Sequence, residues 1–370
     1  MTKILFYTPF NHRSRDTESL MLAFNHQGFK VISLTQQEGF LFSDFLTSHG
    51  IETYSEIVSG QRSGWLYYFK HLLIFVRFCW KHDIDIVYSH LEPANFVASV
   101  GQFFVRANIY ITRHHIDEGS LYKFDKSVSY RLTYHLARKI IVVSRHAKQY
   151  MIEKERIPAH KIVPINLGYN FSLYAPPDIL EIDRIKHEYP CEVLLVAALR
   201  LTEFKRPDVC IETLKQLLKL GINAKLLMLG SGEMKGTLQS MIDENGLEGK
   251  AFLLGFVSNP LDYISSADFL IHPSILESSC VVVKEAGLVS TPVIVCSGIG
   301  DFDEYIEHGK NGFLVDQYKF AMEAASVIRL NKDNRNLLTE MGEKLFNDVH
   351  RLFDINNVVH AYETLNRGLQ

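Results

Sequence analysis

The chain has 370 residues, more than one hydrophobic core usually organises, so two domains are expected. Its 47% hydrophobic and 22% charged residues fit a globular protein. Five cysteines (Cys79, Cys191, Cys210, Cys280 and Cys296) without a C-x-x-C or paired spacing argue against a disulfide framework or zinc module and fit a reducing compartment. The net charge of −3 divides unevenly. Residues 1–170 hold 20 Lys and Arg against 14 Asp and Glu, a net of +6, and the remainder nets −9. That excess is too modest to point to nucleic acid, and no nucleic-acid partner is expected. It would suit an anionic membrane or a phosphate-bearing partner, or reflect ordinary scatter.

In chain order, the start of the sequence is too short an apolar run for a secretory signal and reads as a first strand, 3–7. Further strands are expected at 30–34, 84–89, 109–112, 139–143 and 161–165. A second set follows at 192–197, 224–229, 251–254, 269–272 and 293–295. Several are continuous β-branched runs, the pattern of strands buried on both faces of a parallel sheet. Helical stretches separate most of them. In residues 65–80, Leu66, Phe69, Leu73, Val76 and Trp80 recur at helical spacing, with Lys70, His71 and Arg77 interrupting. The run falls short of the roughly 20 apolar residues that span a bilayer. Such a stripe is expected in the core, a membrane-surface face being the other reading.

The repeated strand–helix alternation predicts an α/β protein of two doubly wound, Rossmann-like domains. The expected division is 1–172, a linker at 173–190 marked by Pro176, Pro177 and Pro190, and 191–345. A helical segment, 346–370, lies outside both alternating sets.

The most informative segment is Pro273-Ser274-Ile275-Leu276-Glu277-Ser278-Ser279-Cys280-Val281-Val282-Val283-Lys284-Glu285-Ala286. Glu277 falls in a turn after a strand and Glu285 on the helix that the turn opens. The two carboxylates can grip two parts of one polar ligand. Backbone N–H groups at the helix start, near Ser279, Cys280 and Val281, can hold a phosphate. Arg200 and Lys205 follow an earlier strand, where two cations would neutralise a diphosphate, or simply be solvated loop residues. Gly230 and Gly232 flank Ser231 after the next strand and allow close backbone approach, or a plain turn. Phe256 and Val257 follow a third strand, where backbone groups could meet a nucleobase edge. Asp301 and Asp303 have the form of a metal-binding Asp-x-Asp but read as loop residues, because nothing nearby in sequence completes an oxygen-rich site. No metal site is expected.

In this order, the Glu-x7-Glu pair, the Arg200…Lys205 loop, the Gly-x-Gly turn, Gly255-Phe256-Val257, Pro273-Ser274 and Asn311-Gly312-Phe313-Leu314-Val315 make residues 191–315 resemble the donor domain of retaining GT-B glycosyltransferases of family 4. The first half resembles the acceptor domain less sharply, through Asp85-Ile86-Val87-Tyr88-Ser89-His90, Ile111-Thr112-Arg113-His114-His115, Ile141-Val142-Val143-Ser144 and Asn166-Leu167-Gly168. The resemblance implies a GT-B fold, its two domains facing across a cleft and its terminal helix returning to the first domain. It also implies a nucleotide-sugar donor, UDP ahead of GDP, a hexose-type sugar, and retention at the anomeric carbon without a metal or other cofactor. By position, Glu285 would bind the ribose, Glu277 the donor sugar, Arg200 and Lys205 the diphosphate, and the amides of Cys280 and Val281 the sugar-phosphate. His115, ahead of His114, would reach the donor sugar, although a hydrogen-bonded strand-end histidine pair reads equally well.

Two departures stand out. The family's usual Glu-Gly-Phe-Gly is here Glu277-Ser278-Ser279-Cys280, and the Gly-Gly loop after the first strand is replaced by residues 10–17. The implied acceptor is a glycan or lipid-linked glycan in cell-surface polysaccharide synthesis, with the protein cytoplasmic or peripheral on the inner membrane face. A nucleotide-sugar epimerase or hydrolase of the same fold, or a non-catalytic nucleotide-sugar-binding protein, is the alternative. No G-x-G-x-x-G follows the first strand, which argues against a dinucleotide oxidoreductase.

Overall fold

The structure, a computed structural model, describes residues 1–58, 64–116 and 128–367. It divides into two compact units. The first comprises residues 1–171 with 353–370, and the second residues 172–352.

The first unit is built on a seven-stranded sheet in the order β3-β2-β1-β4-β5-β6-β7. Its strands are β1 (Lys3–Thr8), β2 (Lys30–Thr35), β3 (Glu52–Ser55), β4 (Ile86–His90), β5 (Asn108–Arg113), β6 (Lys139–Val142) and β7 (Ile162–Pro164). Every pairing is parallel. β4 is buried along its whole length, as its run Ile-Val-Tyr requires of a central strand covered on both faces. The chain order reverses between β1 and β4, so the carboxyl ends of these neighbours diverge into a crevice, the usual ligand position in open α/β sheets.

The second unit carries a six-stranded parallel sheet in the order β10-β9-β8-β11-β12-β13. Its strands are β8 (Val193–Ala198), β9 (Ala224–Leu229), β10 (Ala251–Gly255), β11 (Phe269–His272), β12 (Val293–Cys296) and β13 (Phe313–Val315). The reversal here lies between β8 and β11. The helices Pro207–Lys219 and Phe320–Asn331 cover a core that includes Leu195, Leu214, Leu226, Phe269 and Ile328.

Three features differ from the sequence reading. Residues 179–188 of the expected linker form a helix, Ile179–Glu188, within the second unit. Ile185 is fully buried there, and the main-chain N–H of Asp178 donates to Asp262 (2.8 Å). The terminal segment divides later than expected. Helix Arg335–Phe353 braces the second unit, Val349 and Leu345 packing on the bare face of Gly287, and only Ile355–Arg367 belongs to the first. In that terminal helix Tyr362 meets Phe24 and Tyr88 edge-on, and the Tyr88 hydroxyl donates to Asn366 (2.9 Å).

The third difference concerns helix Trp65–His82. Its inner face is His71, Phe75, Phe78 and Cys79, whereas Leu66, Phe69, Leu73 and Trp80 are exposed. The stripe expected in the core therefore faces outward. Phe75 is held instead against Tyr7 (5.0 Å between rings) and the bare face of Gly101.

Candidate functional site

Because every strand of the second sheet is parallel, the loops after β8, β9, β10, β11 and β12 leave from one edge. That edge collects Arg200 and Lys205, Gly230 and Gly232, Phe256 and Val257, and the turn from Glu277 to Val281. Helix Val281–Leu288 carries Glu285 away from it.

The site centres on the reversal between β8 and β11. The Phe204 carbonyl, in the β8 loop, accepts from the Ile275 amide (3.0 Å) and the Ser274 hydroxyl (3.2 Å), in the β11 loop. This main-chain seam sets Lys205 against Glu277, and the two form a largely buried ion pair. His272, the last residue of β11, places Nε2 2.6 Å from the same Glu277 oxygen, Oε1, and 3.4 Å from Cys280 Sγ. Both cationic partners thus converge on Oε1, and among the described residues no group donates to Oε2.

Burial alone would raise the Glu277 carboxyl, but His272 and Lys205 overcome it and hold it down at about 2. Burial alone would lower the His272 imidazole, but the Cys280 sulfur and the Glu277 carboxylate overcome it and raise it to about 9. Glu277 is therefore a fixed anion over the ordinary pH range.

A second buried pair supports the turn. Lys284 and Asp301, 1% and 2% exposed, pair at 2.5 Å, and Ser279 Oγ joins both, 2.8 Å from Asp301 and 3.0 Å from Lys284. Asp301 is thus a loop residue, as the sequence suggested, but a buried and paired one. Its partner lies seventeen residues earlier on a helix, beyond the reach of local reading. Asp303 stays at the surface, accepting from the Gly298 amide (2.6 Å) and Ser297 Oγ (3.0 Å). Directly before Asp301, Gly300, with φ +60°, lies so close to the Glu277 turn that an added Cβ would come 2.8 Å from Glu277 Cβ.

The residues that replace the family's glycines turn inward. Cys280 is spent on His272, Ser279 on Asp301, and Ser278 is buried. Cys280 is also the N-cap of Val281–Leu288, and no side chain caps that helix start. Gly230 and Gly232 sit against the β8 loop, where a Cβ would come 2.1 Å from the Leu199 carbonyl and 2.3 Å from that of Leu201. Arg200 is exposed, its guanidinium 5.7 Å from the centre of the Phe204 ring. Phe256 is 91% exposed. Glu285 is half-buried, and the helix that carries it is braced by Arg335–Phe353, which Asn311 joins through Asp348 (2.8 Å).

In the first unit, His90 at the end of β4 places Nδ1 2.8 Å from His114 Nε2, and His114 faces Asp16 at 3.8 Å across the β1/β4 reversal. Burial and then His114 push the His90 imidazole well below its ordinary range. His114 is thus the hydrogen-bonded strand-end histidine. His115, half-buried, stands next in the chain, and its carbonyl accepts from Arg113 Nε (2.8 Å). Arg113 is fully buried and paired with Glu155 at 2.5 Å, which anchors this strand end. The glycine-free loop after β1 is held by Arg13 on the buried Glu18, at 2.5 and 2.8 Å.

For metal chemistry, His272, Glu277 and Cys280 bring three ligating atoms within 4.8 Å of one another, the one such cluster among the described residues. This nitrogen, oxygen and sulfur set is of the kind zinc accepts, although Lys205 already holds the Glu277 oxygen. Sequence reasoning missed His272, Lys284 and the structural role of Asp301. The signal for His272 was its place at a strand end, directly before Pro273-Ser274.

Comparison with known proteins agrees with this architecture. The family model for glycosyl transferases group 1 matches residues 179–347, and that for glycosyltransferase family 4 matches residues 15–173. The chain belongs to the GT-B glycosyltransferases of family 4. It is 28% identical over 244 residues to an uncharacterized glycosyltransferase of Methanocaldococcus jannaschii, covering 62% of each chain. It is 27% identical to the N-acetyl-alpha-D-glucosaminyl L-malate synthase of Bacillus anthracis, over 54% of this chain and 53% of that one. The matches thus span little more than half the length of these relatives. In structure it resembles Anabaena HepE in complex with UDP, with a TM-score of 0.83 at 19% identity, over 99% of this chain and 100% of that one. HepE with UDP-glucose gives 0.81.

Proposed function

We propose that the protein transfers a hexose-type sugar from a nucleoside diphosphate donor, UDP ahead of GDP, to a glycan or lipid-linked glycan in polysaccharide synthesis. The observation that carries this reading is the Lys205–Glu277 pair at the β8/β11 reversal, with a helix start directly after it. The family, and the UDP and UDP-glucose bound by HepE, support it.

In this reading Lys205 and Arg200 meet the diphosphate, and the amides of Cys280 and Val281, at the positive end of a helix, meet the sugar-phosphate. Glu285 takes the ribose hydroxyls. Glu277 accepts a sugar hydroxyl through Oε2, since Oε1 is engaged twice. Phe256 and Val257 border the base, with Gly230 and Gly232 allowing close approach. His115 contacts the donor sugar.

The chemistry is transfer with retention. The bond from the anomeric carbon to the phosphate oxygen breaks first, through an oxocarbenium-like state. The acceptor oxygen then bonds to the same face, and its proton passes to the departing phosphate. Lys205, Arg200 and the helix start stabilise the charge that collects there, without a metal ion. A carboxylate held near 2 and doubly bound is a weak nucleophile, which weighs against a covalent adduct on Glu277. Product with the opposite anomeric configuration by NMR, or activity abolished by EDTA and restored by a divalent ion, would overturn these points.

The first test is calorimetry with UDP, GDP, ADP, CMP and NAD. One nucleoside diphosphate should bind, and Glu285→Gln and Lys205→Ala should each weaken it. Binding of none, or silence of both variants, removes the donor site from where it is drawn here.

A further inference from the structure

Helix Trp65–His82 presents an outward stripe with an unusual composition. Trp65, Phe69, Leu73 and Trp80 stand in solvent, Trp65 at 79% and Trp80 at 65% exposure. Lys70, Arg77 and Lys81 lie along the same stripe and are exposed with them. The patch continues beyond the helix. The Trp80 indole donates to the Phe104 carbonyl (3.1 Å), which brings the exposed Phe103 and Phe104 alongside, with Arg106 two residues on.

No acidic residue occurs between Glu56 and Asp83, nor between Glu92 and Asp117. The surface therefore combines an apolar area with cations of one sign along the helix, its nearest carboxylates, Asp83 and Glu52, standing at the helix's C-terminal end. Isolated exposed apolar side chains need no explanation, but a clustered patch marks a contact site. The helix cannot cross a bilayer, since no helix among the described residues is long and apolar enough. An isologous contact with a second copy would set Lys70, Arg77 and Lys81 against their own images.

We infer that this face docks the protein onto a lipid surface of anionic headgroups. The tryptophans and phenylalanines enter the headgroup layer, and the three helix cations remain among the phosphates. Tryptophan favours that depth, where an apolar ring and a polar N–H are both accommodated. Lysine and arginine can bury their stems and keep their charges at the headgroups. The helix lies in the plane of the interface, as amphipathic helices with a basic and aromatic face do. The docking face lies in the first unit and is independent of the donor site in the second.

The test is co-sedimentation of the whole protein with phosphatidylglycerol-containing vesicles and with pure phosphatidylcholine vesicles, without nucleotide. Binding is expected to the anionic vesicles and to fall steeply as salt is raised. Lys70→Ala and Arg77→Ala should each weaken it roughly fivefold. Phe69→Ser with Leu73→Ser should abolish it, while Leu180→Ser, an exposed apolar control in the second unit, should leave it unchanged. These sites are at the surface, so circular dichroism and nucleotide calorimetry should match the parent protein. Equal binding to neutral vesicles, no binding to anionic vesicles at low salt, or full binding by the Phe69/Leu73 variant would overturn the inference. So would a dimer in vesicle-free sedimentation that Phe69→Ser dissociates. Loss of nucleotide binding alone would not touch it, so the two readings fail separately.

Discussion

Lys284→Met is the sharpest perturbation of the donor-side turn. The Lys284 and Asp301 side chains are nearly inaccessible to water and meet at 2.5 Å. With the ammonium removed, the Asp301 carboxylate would keep only the Ser279 hydroxyl on Oδ2, and its Oδ1 already lacks a partner. Breaking one side of a buried pair strands a charge and costs about 3–5 kcal/mol, whereas replacing both sides with apolar groups is often near neutral. Lys284→Met should therefore destabilise the second unit by about 3–5 kcal/mol, and Lys284→Met with Asp301→Leu should recover most of that loss. The readout is urea unfolding followed by far-UV circular dichroism. Both tryptophans, Trp65 and Trp80, lie in the first unit, so their emission serves as an internal control that should not move. A cost below about 1 kcal/mol for the single variant, typical of exposed pairs, would refute the reasoning. A double variant worse than the single one would refute it equally.

Other outcomes follow from the same geometry. His272 is raised from 6.5 to about 9 in the folded protein, so its contribution is complete below pH 6.5 and lost as pH rises through 9. Thermal unfolding across pH 6–10 should therefore show a decline in the parent that His272→Gln flattens. Glu277, lowered from 4.5 to about 2, contributes above pH 4.5 and loses that contribution as pH falls through 2, so Glu277→Gln should flatten the acid limb. Gly230→Ala drives a Cβ into the Leu199 carbonyl at φ +129° and should cost at least about 2 kcal/mol. Gly236→Ala, in open space on helix Lys235–Glu244, should stabilise by about 0.5–1 kcal/mol, a contrast that denaturant midpoints will resolve. Tyr88→Phe removes the bond to Asn366 and should lower the stability of the first unit by about 1–2 kcal/mol, read from tryptophan emission.

The parallel strands were legible because a strand buried on both faces must be apolar throughout. β12 is apolar along its whole length, and β4 and β11 are apolar up to the polar residues that end them, Ser89-His90 and His272. The two strands that escaped notice, Glu52–Ser55 and Phe313–Val315, are short edge strands, and the first mixes polar residues with a single ring. Helix Trp65–His82 was misread because it is apolar on two faces, and periodicity finds a stripe without saying which way it points. The signal was in the charges, since Lys70, Arg77 and Lys81 follow the exposed stripe and not the one built on Phe75 and Cys79. Glu277 and Lys205 could be singled out because each stands in a loop after an apolar strand. His272, Lys284 and the pairing of Asp301 could not, because the Glu277–His272 and Lys284–Asp301 contacts depend on how β11 and β12 deliver their loops. Nor does the sequence tell where the residues in place of the family's glycines point: Ser278 is buried, and Cys280 turns toward His272.

The return of the chain at Phe353 bears on how the protein comes into being. Phe24, Tyr88 and Tyr110 in the first unit rest under helix Ile355–Arg367, Tyr110 donating to the Leu365 carbonyl and Tyr88 to Asn366. During synthesis that helix emerges only after residues 172–352, an interval on the order of tens of seconds. The second unit, contiguous in sequence, can mature as it leaves the ribosome. The first must wait for it, with an aromatic face uncovered. A nascent chain halted near residue 352 would hold a finished second unit behind an unfinished first, and that interval is when the protein is most open to chaperones and to aggregation.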